Sequence, residues 1–198
     1  MQNNSSMEKF VVDLLKSNIP VFYYYHNYEH TLYVVDKAIE IGRSEGCSDR
    51  EIELVSAGAL WHDTGFLYSY AGHEDQSLIL AKKHLPDYGY SKEEVDEICG
   101  MIMATKIPQS PKNKLEEIVA DADLEYLGTN AAALKAEHLF QEWRHMDPSL
   151  SREKWNKIQI SFIQNHHYFT SFCREKKEQL KLAYLQTVID QEKQSEKF

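Results

Sequence analysis

Residues 49–66 read DREIELVSAGALWHDTGF, and this stretch decides the fold class. Ile52, Leu54, Val55, Ala57, Ala59, Leu60 and Trp61 place apolar side chains on nearly every face of a helix. Such a helix belongs at the centre of a bundle rather than on its surface. Ser48 and Glu51 stand at capping-box spacing for its start, and Gly65 marks its end. The last turn then carries His62 and Asp63 into the interior. A buried carboxylate without a cation or a set of donors is strongly unfavourable. A divalent metal satisfies both residues at once.

Helical signals continue in both directions. Phe10, Val11, Leu14 and Leu15 repeat at helical spacing from about Met7 to Asn18, with Pro20 beyond the stop. A second helix is expected from near Tyr28 through Leu32, Val35 and Ile39 to Gly42. Downstream, a helix is expected over Glu74 to His84, closed by Pro86, and Ser91 with Glu94 caps another that reaches about Ala104. Pro108 and Pro111 make residues 107–113 a loop. A helix over Leu115 to Leu127 ends at Gly128, and Thr129 offers a cap for the next, running to about His145. From Ser151 one or two long helices lead to a charged, fraying tail over 191–198. No stretch alternates with period two. The expectation is an all-α fold: one helical bundle over residues 1–198, with the site within about 23–128 and helices 129–190 packed on it.

Bulk properties narrow the function classes. The chain has 198 residues, enough for one domain with a substantial core. Its net charge of −9 disfavours broad nucleic-acid binding, since an acidic surface repels a phosphate backbone. No apolar run is long enough to span a bilayer, and no basic amphipathic stretch favours a membrane surface. The opening MQNNSSMEKF lacks the basic start and apolar stretch of a signal peptide, so a cytoplasmic location is expected. Cys47, Cys99 and Cys173 are scattered without CxxC spacing and read as reduced thiols.

Two further segments supply metal-ligand chemistry. In IVADADLEYLG (118–128), steps of four from Val119 reach Asp123 and Leu127, an apolar stripe, while steps from Glu117 reach Asp121 and Glu125, a polar one. Asp123 is therefore expected inward and Asp121 toward solvent or behind the ligands. In YYYHNYEHTLYVV (23–35), His30 begins an apolar helical face with Val34, and His26 lies four residues earlier. A neutral imidazole there can bind a metal through one nitrogen while the other is oriented by an acceptor.

A His, then a His-Asp pair, then a distant Asp resembles the HD superfamily of metal-dependent phosphohydrolases. WHDTGF (61–66) is similar to that family's HD-bearing helix end, and DADLEYLG (121–128) to the segment with its final ligand. The likeness covers roughly Tyr23 to Gly128 and implies an all-α, HD-type bundle with His30, His62, Asp63 and Asp123 on one metal. YHNYEHT (25–31) is similar to the first motif of class I cyclic-nucleotide phosphodiesterases, which gives His26 the role of general acid. Those enzymes carry another His just after their His-Asp pair, where this chain reads HDTGFLY. His73, in GHEDQS (72–77), resembles an accessory His that touches a second metal or a phosphate in relatives. Where dinuclear relatives place a further His, MIMATK (101–106) has Thr105 and Lys106, which favours one metal and gives Lys106 a phosphate to contact.

The resemblance thus implies hydrolysis of a small phosphoester, a nucleotide or cyclic nucleotide, by metal-activated water. Asp63 accepts a proton from that water, and His26 or His73 protonates the leaving group. One divalent ion is implied, with Mn, Fe, Zn, Co, Ni and Mg all compatible with nitrogen and carboxylate ligands. Two other classes stay open: a di-iron oxygenase, which needs additional His ligands, and a non-catalytic nucleotide or metal sensor. A homodimer also stays open. The remaining histidines read as ordinary packing. His166 and His167 would point about 100° apart on a helix, and Lys176 with Lys177 reads as a solvated face.

Overall fold

Five helix starts carry a specific capping device. Ser48 and Ser91 form complete capping boxes with Glu51 and Glu94, Asn27 accepts from the Glu29 and His30 amides, and Ser151 and Thr170 cap later helices. The computed structural model describes residues 2–195, and side chains for residues 5–194. Residues 196–198 of the expected fraying tail lie outside the described residues. Among the described residues the structure is helical, with no strand.

The α-helices in chain order are α1 (Gln2–Asn18), α2 (Tyr28–Ser44), α3 (Asp49–Trp61), α4 (His73–His84), α5 (Lys92–Ala104), α6 (Lys114–Leu124), α7 (Ala132–Met146), α8 (Arg152–Asn165), α9 (Ser171–Lys176) and α10 (Glu178–Ser195). Short 3₁₀ turns cover Thr64–Leu67, Leu85–Tyr88 and Glu125–Gly128. The chain divides into two compact units, residues 1–20 with 26–123, and residues 21–25 with 124–198.

In the first unit α3 is central, packing on α2, α5, α4 and α1. Val55, Ala57, Ala59 and Trp61 are fully buried, as its all-round apolar sequence requires. Residues 105–113 form the expected loop, pinned where the Gln109 side-chain amide donates to the Ala120 carbonyl at 2.8 Å.

The second unit packs α10 against α8, the Glu125–Gly128 turn, α9 and α7. Phe140, Leu150 and Trp155 form its core with Ala136. The Arg152 guanidinium lies 3.7 Å from the Phe140 ring centroid, covering that core with a cation.

Several expectations are corrected here. α6 stops at Leu124, so steps of four toward Glu125 and Leu127 cross into a 3₁₀ turn with a different angular repeat. Asp121 is fully buried, so of its two expected positions the solvent-facing one is excluded, and Glu125 is fully buried too. α8 ends at Asn165, so His166 and His167 sit in an irregular segment, not on a helix. Lys177 is no surface charge, because its ammonium pairs with the buried Glu125. Thr129 braces a turn, accepting from the Ala131 amide, three residues before α7 begins at Ala132.

Candidate metal centre

Four side chains, from α2, α6 and the end of α3, meet inside the first unit. Asn27 caps α2 and so fixes His30 in its first turn, where the ring is 2% exposed. His62 is the C-cap of α3, and Asp63 directly precedes the 3₁₀ turn Thr64–Leu67. Asp123 lies one residue before the end of α6.

Their atoms converge closely. His30 Nε2 lies 3.1 Å from Asp123 Oδ1 and 3.5 Å from Asp63 Oδ2. His62 Nε2 lies 3.1 Å from Asp63 Oδ2 and 3.6 Å from Asp123 Oδ1. One ligand atom from each of His30, His62 and Asp123 falls within 4.8 Å of the others.

Hydrogen bonding fixes the tautomer of His62. Its Nδ1 is 2.7 Å from the Ala59 carbonyl, which only accepts, so Nδ1 carries the proton. A neutral His62 then aims the Nε2 lone pair at Asp63 Oδ2, itself an acceptor. Both atoms are buried and make no hydrogen bond. Two acceptors 3.1 Å apart need a cation between them, and this donor set of imidazole nitrogens and carboxylate oxygens suits a divalent metal. The site residues therefore fit the ion that the sequence implies.

The metal-free electrostatics express the same demand. Burial opposes charge on His62, but the Asp63 and Asp123 carboxylates outweigh it and hold the pKa well above the ordinary imidazole value. Burial likewise raises Asp63 and Asp123, yet the facing histidines outweigh it and hold both carboxyls below their usual range. For His30 burial wins, and its pKa is lowered. A proton takes the place on His62 that a metal would fill.

A second group flanks this cluster. His73, at the start of α4, donates from Nδ1 to the Tyr70 carbonyl at 3.1 Å and turns Nε2 toward Asp63 Oδ1 at 3.4 Å. Glu74 Oε1 lies 3.7 Å from the same nitrogen. Burial lowers the His73 pKa, but Asp63 and Glu74 outweigh it and raise it. The Phe66 ring stacks on both His26, 4.3 Å away, and His73, 3.8 Å away. The Tyr70 hydroxyl lies 3.4 Å from His26 Nδ1.

The structure thus brings His26, His30, His62, Asp63, His73 and Asp123 together. The Lys106 ammonium pairs with Asp75 Oδ2 at 3.1 Å. Thr105 uses its hydroxyl to donate to the Ile102 carbonyl at the end of α5. Sequence reading missed Phe66, Tyr70, Glu74 and Ser77. Ser77 Oγ accepts from the Gly65 amide at 2.8 Å and donates to the His62 carbonyl at 2.6 Å, clamping the His-Asp turn onto α4. The only signal for it was its spacing of four from His73 on one helix.

Comparison with known proteins agrees with this layout. A family model for the HD domain matches residues 27–125, half of the chain. A crystal structure of a predicted HD superfamily hydrolase from an uncultured Thermotogales bacterium superposes with a TM-score of 0.61 at 18% identity. The match covers 92% of this chain and 89% of that one. No curated protein matches the sequence. With the matched segment running from the Asn27 cap through Asp123, the chain belongs to the HD-domain family.

Proposed function

We propose that the protein is a metal-dependent phosphohydrolase acting on a small phosphoester, a nucleotide or cyclic nucleotide. The observation that carries this reading is the facing pair of buried acceptors, His62 Nε2 and Asp63 Oδ2, set among His30 and Asp123. His30, His62, Asp63 and Asp123 would hold the ion. A divalent ion so held lowers the pKa of bound water and polarises a phosphoryl oxygen.

The chain's own residues supply the proton traffic. Asp63 has its second oxygen toward His73, so one carboxylate contacts both the ligand cluster and a titratable imidazole. Asp63 accepts a proton from the attacking water, and His73 or His26 donates one to the leaving oxygen. Asp63 and Glu74 raise the pKa of His73, which favours the protonated state a general acid needs. Phe66 holds both imidazole planes in place by stacking. The same reading puts the protein in the cytoplasm, where Cys47, Cys99 and Cys173, none of them in a disulfide, stay reduced.

A phosphate-release screen over nucleotides and cyclic nucleotides with added Mn²⁺ tests this. The expected result is chelator-sensitive release from one substrate class, reduced at least about 100-fold in Asp63→Asn, consistent with loss of a ligand or base. Release that survives both chelator and Asp63→Asn contradicts the reading. Two irons per chain with no release would instead support the oxygenase.

A further inference from the structure

A groove of about 560 Å³ lies between α4, α5 and the 105–113 loop. Leu78, Met103 and Pro108 give it an apolar wall, and Lys82, Lys106 and Lys112 bring three ammonium groups to it. Its volume is within the range of small-molecule sites. A cluster of lysines is notable in a chain with a net charge of −9.

Helix geometry separates this groove from the metal centre. At about 100° per residue, Leu78 and Lys82 point roughly 140° and 180° away from His73 around α4. The groove therefore lies on the flank of α4 opposite the one that feeds the metal site.

Two carboxylates, Asp96 and Glu116, also line it. The Glu116 carboxylate accepts from the Lys112 amide at 2.7 Å and the Asn113 side chain at 2.9 Å. Lys106 pairs with Asp75, and Asp96 is the remaining carboxylate on the wall. Among the described residues, Lys82 and Lys112 form no ion pair. Lys82 and Lys112 are thus the two lysines of the lining without an ion pair, with Asp96 and Glu116 as carboxylates on the same wall.

The rim is built in advance. Gln109 ties the loop to Ala120, and Asn113 Oδ1 accepts from the Leu115 and Glu116 amides at the start of α6. A Cβ at Gly100, on the groove floor, would lie 2.7 Å from Glu116 Oε1. Glycine there lets the carboxylate that pins the loop come in close. A ligand entering such a groove spends little ordering it.

We propose that this groove is a second binding site, separate from the metal centre, for a small organic anion. The ligand class is an apolar or aromatic body carrying a single phosphate, phosphonate or carboxylate. The body rests on Leu78, Met103 and Pro108, and the anionic group meets Lys82 and Lys112, with Lys106 in reach.

Phenylphosphonate is a suitable probe, since its C–P bond is not a phosphoester. Its binding to the full chain is measured by calorimetry for wild type, Lys82→Glu/Lys112→Glu, Met103→Trp and Asp63→Asn. Saturable binding is expected in wild type and in Asp63→Asn with similar affinity. It weakens at least about tenfold, or about 1.4 kcal/mol, both when the lysines are reversed and when Met103→Trp fills the groove. The lysines are exposed at the surface, so their reversal leaves the fold intact. Met103→Trp separates groove shape from bulk charge. No saturable binding, binding indifferent to either groove change, or binding lost in Asp63→Asn would each overturn the proposal.

Discussion

At Gly65 the residue scale shows how tightly the metal turn is built. A Cβ there would lie 1.8 Å from the His73 carbonyl oxygen and 2.8 Å from the Ser77 amide nitrogen. Both are backbone atoms of α4, so neither swings away as a side chain would. Read from sequence, Gly65 is a helix stop; in the structure it is also the only residue small enough for the contact. Gly65→Ala is expected to cost at least about 3 kcal/mol, the upper end for overpacking, with weakened metal retention in whatever folds. Urea unfolding together with metal analysis checks this, and a variant of wild-type stability would show that α4 is not anchored at this point. His30, His62, Asp63 and Asp123 were readable because burial of an aspartate demands a partner. Phe66 and Tyr70 were not, because stacking on His26 and His73 depends on where a turn folds back, which no local period encodes.

At the scale of elements, caps were the most legible feature. The Ser48–Glu51 and Ser91–Glu94 boxes are both present with both of their hydrogen bonds. Ser91→Ala removes the acceptor for the Glu94 amide and is expected to lower stability by about 1 kcal/mol. Glu94 adds a pH dependence of definite sign. The Ser91 amide and Arg50 hold its carboxyl below the ordinary value, so its contribution is fully present above the unfolded pKa of about 4.3. That contribution is lost as pH falls through the lower folded value. Thermal melts between about pH 6 and pH 3 should therefore show a shallower acid decline for Glu94→Gln than for wild type. Identical slopes would mean the box contributes nothing through this charge. The end of α6 was less legible. Its switch to a 3₁₀ turn after Leu124 changes the repeat, so the steps of four to Glu125 and Leu127 do not hold past the helix, while Asp121, inside α6, is buried.

Across the whole molecule, an all-α fold followed from the absence of period-two patterning, while the C-terminal unit hid its polar core. The charge run around residues 174–179 reads as solvated, yet Lys177 pairs with buried Glu125. Lys181 is 1% exposed, with Nζ donating to the His166 carbonyl at 2.8 Å and pairing with Glu178 at 3.0 Å. Glu125 and His166, distant in sequence, are the partners that the charge run itself does not reveal. No helix of the described residues is long and apolar enough to cross a membrane, as the hydropathy pattern implied. The metal centre ties α2, α3 and α6 together, so its ion should stabilise the folded state as a ligand does, by about 2.7 kcal/mol at 100 times Kd. The most direct test is the metal content of chelator-stripped protein dialysed against Mn²⁺ and then against metal-free buffer, for wild type and His62→Ala. The account predicts one tightly held ion per wild-type chain and close to none in the variant. Equal retention in both, or none in wild type, would contradict it.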